Sequence, residues 1–244
     1  MRIVIFSGTT EGRLLSRLLA DQGAEVTVCV ATEYGCEEQG EHPGITVLTG
    51  RKTVEEMTSL LRGGDLCVDA THPYAVEVTK SVRRACAAAG VPYRRLLRGR
   101  SADTDAMVVD SAEAAAELLA DREGNILLAT GMKELPAFAA ISPARLYPRV
   151  LPTGESIAAC ERAGIPHRNI LAMQGPFSTE LNEALIRQFR IAFLVTKDGG
   201  KAGGFQEKVQ AAKNTGIELV LIRRPEETGE TFEEIAAACE ELMR

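Results

Sequence analysis

Short apolar runs alternate with amphipathic stretches along the whole chain, and that alternation predicts an α/β protein. Residues 2 to 6, RIVIF, form a β-branched run that stops at Ser7-Gly8, and Leu14, Leu15, Leu18 and Leu19 then recur at helical spacing through residues 11 to 22. EVTVCVA (25 to 31), ITVLT (45 to 49) and LCVDA (66 to 70) read as further strands. TVEEMTSLLR (53 to 62) opens with Thr53 and Glu56 in capping-box spacing, and a helix is expected over about 76 to 89, closed by Gly90. A fifth short strand is expected near 93 to 97. In the second half a helix is expected at 111 to 121. Strands are expected at 125 to 130, within 145 to 152, and at 170 to 174, 191 to 196 and 217 to 224, with an acidic amphipathic helix at 230 to 243.

Strands apolar on both faces, separated by helices, point to parallel sheets covered on both sides. The polar, core-poor stretch RGRSADTD (98 to 105) marks a domain boundary. The expectation is two Rossmann-like domains, residues 1–99 and 100–244, with mostly parallel sheets and a cleft between them. RIVIFSGTTEG and NILLATGMKEL share a pattern, which suggests an analogous strand-turn-helix in each half.

Composition narrows the function. With 244 residues, 45% of them hydrophobic, the chain can bury a sizeable core in two domains; a net charge of -6 and no Trp argue against nucleic acid as a partner. A locally basic cleft for an anionic small molecule stays compatible with that charge. No run of about 18 apolar residues occurs and the N-terminus lacks the pattern of a secretory signal, so a cytoplasmic protein without membrane contact is expected. Six dispersed cysteines with no CxxC read as buried thiols without chemistry, and no metal site is expected.

In an open parallel sheet, ligands gather beyond the carboxyl ends of the strands, so the polar turns there carry the functional reading. SGTTEG (7 to 12) offers Gly8 for close backbone approach, the first N–H groups of a helix and the hydroxyls of Thr9 and Thr10, a seat for a pyrophosphate. It lacks the full G-x-G-x-x-G fingerprint and also reads as a plain turn with a Thr cap. Glu33 stands where an acid could take the ribose hydroxyls of NAD, whereas Arg51 and Lys52 could meet a 2′-phosphate; the residues leave the cofactor open. DATHPYA (69 to 75) places Asp69, Thr71, His72 and Tyr74 at a strand end, with Pro73 at an expected helix start. TKDGGKAGGFQEK (196 to 208) is dense in glycine and carries Lys197, Lys201 and Lys208, a pattern suited to anion binding, although it contains no P-loop. AMQGPFS (172 to 178) is a third such turn, with Ser178 as helix N-cap.

Together these motifs resemble the precorrin-6A reductase family, which acts on cobalt-free or cobalt-bearing substrate. SGTTEGR, DATHPYA, RVLPT (149 to 153), AMQGPFS, TKDGGKAGG, EKVQAA (207 to 212) and RRP (223 to 225) stand in the family's order across nearly the whole chain. One position departs: Gly199 replaces the family's Ser before the first Gly of the lysine-rich loop. The resemblance implies an NADPH-dependent oxidoreductase of corrin ring (cobalamin) biosynthesis that reduces one carbon-carbon double bond of a polycarboxylate tetrapyrrole. It further implies a cofactor site at Gly8, Thr9, Thr10, Gly12 and Arg13, with Gly200, Gly203 and Gly204 as a second clamp. Substrate contacts are expected from Thr71, Arg98, Arg149, Gln174, Lys208 and Arg224, and proton-handling roles from Lys197, Tyr74 and His72. Two other readings stay open at this level: a different NAD(P)-dependent reductase of a small acidic substrate, and a cofactor-binding protein without turnover.

Overall fold

The computed structural model describes residues 1–97, 105–199 and 204–243. The chain divides into two units, Met1–Arg98 together with Pro225–Arg244, and Gly99–Arg224.

In the first unit the chain runs β1 (Arg2–Ser7), α1 (Thr10–Asp21), β2 (Glu25–Val30), α2 (Glu33–Gln39), β3 (Ile45–Thr49), α3 (Val54–Leu61), β4 (Leu66–Ala70), α4 (Val76–Ala89) and β5 (Tyr93–Arg95). All strand pairs are parallel and the order is β3-β2-β1-β4-β5. The two-residue period of the strands splits their side chains between two cores. Ile3, Ile5, Val26, Val28 and Val68 pack against Leu15 and Leu19 of α1. Val4, Phe6, Cys29 and Cys67 pack against Met57 and Leu61 of α3 and Val82, Ala85 and Cys86 of α4. Each fully buried aliphatic side chain contributes about 1.5–3 kcal/mol relative to exposure, which is why continuous apolar runs settle in a two-sided parallel sheet. Helix ends follow the expected local chemistry: Thr53 and Glu56 form a capping box, and Gly90 closes α4 in the left-handed conformation.

The second unit runs β6 (Met107–Val109), α5 (Ala112–Ala120), β7 (Asn125–Ala129), β8 (Leu146–Val150), α6 (Gly154–Arg162), β9 (Leu171–Ala172), α7 (Thr179–Gln188), β10 (Ile191–Lys197), α8 (Phe205–Thr215) and β11 (Glu218–Ile222). Its order is β6-β11-β10-β7-β8-β9, again with every pair parallel. After β7 the analogy with the first unit weakens. Thr130-Gly131 leads into a 3-10 stretch, Met132–Phe138, instead of an α-helix, because Pro136 lacks the N–H and the clearance that an α-helix interior requires.

The last helix, α9 (Phe232–Met243), belongs to the first unit, in contrast to the expected division that kept residues 100–244 together. Its Ile235 and Cys239 are fully buried in the cluster of Ile3, Leu15 and Val26. The segment leading to it runs beside β5: Leu97 N–H donates to the Glu230 carbonyl at 2.8 Å and Glu230 N–H to the Arg95 carbonyl at 2.8 Å. Gly229 is required there, since a Cβ would lie 2.5 Å from the Arg95 carbonyl oxygen. The expected boundary near residue 99 falls outside the described residues. Two elements, α2 and β6, are too short and too ordinary in composition to stand out in the sequence. Among the described residues, no helix is long and apolar enough to cross a membrane.

Candidate functional site

In the first unit the chain leaves β1 toward β2 and β3, then returns to β4 on the other side, so strand order reverses between β1 and β4. Ser7 of β1 pairs with Ala70 of β4, which sets the turns Gly8–Thr10 and Thr71–Ala75 side by side at the carboxyl end of the sheet. The Thr9 hydroxyl donates to the Ala70 carbonyl at 3.0 Å and accepts from Gly12 N–H at 3.1 Å. Thr9 therefore caps α1 and ties the two turns together, and Gly12 N–H is not one of the open donors. The two glycines differ. A Cβ on Gly8 would meet no protein atom within 4 Å, whereas one on Gly12 would lie 2.6 Å from Ser7 Oγ and 2.7 Å from Ala70 Cβ. Gly12 thus allows α1 to approach the sheet, while Gly8 presents bare backbone on an open side. This division of labour is that of a dinucleotide-binding turn, so the residues fit a nicotinamide cofactor's pyrophosphate. Arg13 turns toward α2, donating to the Glu38 carbonyl at 2.8 Å.

Under the Thr71–Ala75 turn lies a polar network that the sequence reading did not assemble. Asp69 is fully buried and accepts hydrogen bonds from Thr71 N–H (3.0 Å), the Thr71 hydroxyl (2.7 Å), Tyr93 OH (2.9 Å) and Arg95 Nη1 (2.7 Å). Arg95, 2% exposed, also reaches Glu227 through Nε (3.1 Å) and Nη2 (2.7 Å). Burial, with Asp69 beside it, pushes the Tyr93 hydroxyl well above its usual range, so it remains a donor. Thr71 is engaged by this network through both its N–H and its hydroxyl. His72 and Tyr74 sit on top, half-buried, with ring centroids 5.5 Å apart, and Tyr74 N–H points at His72 Nδ1 at 3.4 Å. Pro73 lies in the turn, three residues ahead of α4.

In the second unit the reversal falls between β7 and β10. Lys197, at the end of β10, pairs with Glu134 of the 3-10 stretch beyond β7. Arg149 of β8 is buried, stacked 4.3 Å over the Phe177 ring, and donates to Asn182 Oδ1 at 2.8 Å. Burial lowers its guanidinium to about 10, and burial together with the Arg149 charge lowers Lys208 to about 8. Gly204 approaches Pro176 and Phe177, so the AMQGPFS turn and the start of α8 meet. Arg224 is buried and Gln174 exposed. Arg98, Gly200 and Gly203 lie outside the described residues. The six cysteines are unpaired; burial raises Cys29 to about 11, whereas a hydrogen bond with Cys67 lowers Cys86. Among the described residues, no group of three or more His, Cys, Asp or Glu is placed to hold a metal ion.

The profile of the family described as precorrin-6x reductase CbiJ/CobK matches residues 2–242. The chain is 37% identical to cobalt-precorrin-6A reductase of Priestia megaterium, over 97% of each chain. It is 36% identical to that of Methanothermobacter thermautotrophicus, over 93% of this chain and 77% of that one. Identity to precorrin-6A reductase of Rhodococcus erythropolis is 33%, over 97% and 95%. Among solved structures, CobK precorrin-6A reductase superposes with a TM-score of 0.79 at 25% identity, covering 99% of this chain and 96% of that one. A match across both parallel sheets and their strand-end turns leaves one assignment: this chain belongs to the precorrin-6x reductase family.

Proposed function

We propose that the protein reduces one carbon-carbon double bond of precorrin-6A, and by the weight of its cobalt-precorrin relatives the cobalt form, with NADPH as reductant, in the cytoplasm. The observation that carries this reading is family membership joined to an open glycine turn at the strand-order reversal. When bound, the reduced nicotinamide supplies the hydride. The chain's own residues bind, orient and handle the proton. Gly8, Thr10 and the first turn of α1 hold the pyrophosphate, with Thr9 and Gly12 fixing that turn and Arg13 alongside. Gly204, the N-cap of α8, is the described member of the proposed second clamp, whose Gly200 and Gly203 lie outside the described residues. Arg51 and Lys52 serve the 2′-phosphate: Gly50 N–H bonds the Val30 carbonyl at 2.9 Å, and the Lys52 charge acts on Cys29, so they stand by the end of β2. Lys197 and Tyr74 are the proton donors, and His72 either donates a proton or anchors a carboxylate. Arg98, Gln174 and Arg224 meet the acetate and propionate groups of the tetrapyrrole.

The deciding experiment is an anaerobic assay of cobalt-free and cobalt-bearing substrate with NADPH and with NADH, following loss of the reduced-nicotinamide band. Turnover with neither substrate ends the proposal. Lys197→Ala is expected to lower kcat by about 100-fold while KM changes by less than about threefold. An effect confined to KM would make Lys197 a carboxylate anchor. For Gly8→Val, NADPH affinity is expected to fall about tenfold or more with no change in unfolding temperature, because the new side chain meets only ligand space. Unaltered NADPH binding would reduce the turn to a plain connection.

A further inference from the structure

Arg149 is 6% exposed and its Nη2 is buried with no hydrogen-bond partner among the described residues, although Nη1 is held by Asn182. A buried guanidinium group normally has all its donors satisfied, since each one left unpaired carries its full desolvation cost. The surroundings deepen the imbalance. Asn182 lies in the first turn of α7 and Lys208 in the first turn of α8, so Arg149 sits against the residues at two helix starts, where the peptide dipoles already present positive charge. The N-cap of α8 is Gly204, which offers no side-chain acceptor. Lys208, 8% exposed, is close enough for the Arg149 charge to act on it. Asp198 and Glu207 counter these charges, but burial and Arg149 outweigh them at Lys208. Two buried cations and two helix starts come together with an orphaned donor, Arg149 Nη2, while at the start of α8 Glu207 Oε2 is likewise buried without a partner among the described residues.

We propose that Arg149 and Lys208 form a buried socket for one oxyanion, a carboxylate or a phosphate group of a bound ligand. Its assignment to a particular ligand rests on the reductase reading, which supplies two sources: a side-chain carboxylate of the tetrapyrrole and a phosphate of the cofactor. The Phe177 ring covers the guanidinium, so an entering oxyanion displaces that ring or passes beside it. In the ligand-free protein the Arg149 charge disfavours that of Lys208, which Asp198 and Glu207 offset only in part; an oxyanion takes the Nη2 hydrogen bond and adds to that compensation.

The test uses Lys208→Met, which keeps the stem and removes the charge, and Arg149→Gln. Calorimetry would measure binding of uroporphyrin, a redox-inert tetrapyrrole with acetate and propionate groups, and separately of NADP+. A loss of about tenfold or more for uroporphyrin alone, in both variants, identifies the substrate carboxylate; the same loss for NADP+ alone identifies the cofactor phosphate. Both outcomes support the socket. Unchanged binding of both probes, or a wild type that binds neither, overturns it, while wild-type turnover in the anaerobic assay judges the reductase reading independently.

A second readout needs no ligand. The ammonium of Lys208 titrates at 10.5 when unfolded and at about 8 when folded, so between these values the unfolded chain holds the extra proton. Stability of the ligand-free protein should therefore rise with pH across that window, and Lys208→Met should abolish the rise while unfolding at the same or a higher temperature near neutral pH. Should Arg149→Gln fail to fold, Lys208→Met carries the test. A Lys208→Met protein that melts lower than wild type, with an unaltered pH profile, would show a structural lysine and overturn the socket.

Discussion

Replacing Arg95 by Met is expected to lower the unfolding free energy by about 3–5 kcal/mol, the range for removing one partner of a buried ion pair. Asp69 would keep its donors from Thr71 and Tyr93 but lose the only cation that the described residues bring into contact with it. Glu227 would lose both of its Arg95 bonds, leaving the segment before α9 held to β5 by the Glu230 backbone bonds and the Arg94–Glu230 pair. The turn carrying His72 and Tyr74 rests on this network, so kcat should fall together with stability. Arg95→Lys should recover part of the stability, since it restores a charge without the guanidinium fork that serves Asp69 and Glu227 at once. Urea unfolding of the two variants decides the matter. A loss below about 1 kcal/mol for Arg95→Met would place the network among ion pairs that barely repay their desolvation.

Gly12→Val is the second large effect. The added Cβ would lie 2.6 Å from Ser7 Oγ and 2.7 Å from Ala70 Cβ, and the Ala70 methyl, fixed to the β4 backbone, cannot rotate away. Helix α1 must lift from the sheet, at about 1–3 kcal/mol of stability for overpacking. That displacement also moves the α1 N–H groups and the Thr9 link to Ala70, so on the proposed cofactor assignment NADPH affinity should drop by about 100-fold, measured by fluorescence titration of the cofactor. The comparison with Gly8→Val is what makes this informative. Both change a glycine of the same turn, yet Gly12 faces packed protein and Gly8 faces open space. Equal stability for the two variants would mean that the close approach at Gly12 does not constrain the helix.

Much of the fold is legible because the signals for it are local. ITVLT and LCVDA coincide with β3 and β4, the expected helix over 76 to 89 coincides with α4, and the Thr53–Glu56 box forms as its spacing requires. The strand-end turns are likewise found where the apolar runs stop. The resemblance in motifs agrees with the family match over residues 2–242. Local reading stumbles where a residue's fate depends on distant ones. DATHPYA and SGTTEG give no sign that the Thr9 hydroxyl bonds Ala70 of β4 or that the Thr71 hydroxyl bonds Asp69 and receives Arg95 of β5. NILLATGMKEL mimics the first turn closely, but Pro136 diverts the chain beyond it into a 3-10 stretch. Arg95 and Glu227 give no signal at all, standing 132 positions apart with ordinary neighbours.

The sequence by itself determined the alternation of strands and helices, the turns at the strand ends and the family, because periodicity, capping and motif order are properties of short windows. Only the tertiary structure decided that residues 225–244 return to the first unit, that Asp69, Arg95 and Glu227 share one buried network, and that Arg149 and Lys208 are both buried with the Arg149 charge acting on Lys208. The reason is electrostatic as much as steric. Whether a buried charge is stabilising depends on what the fold brings within a few ångströms of it, and that depends on strand order and packing across the whole chain.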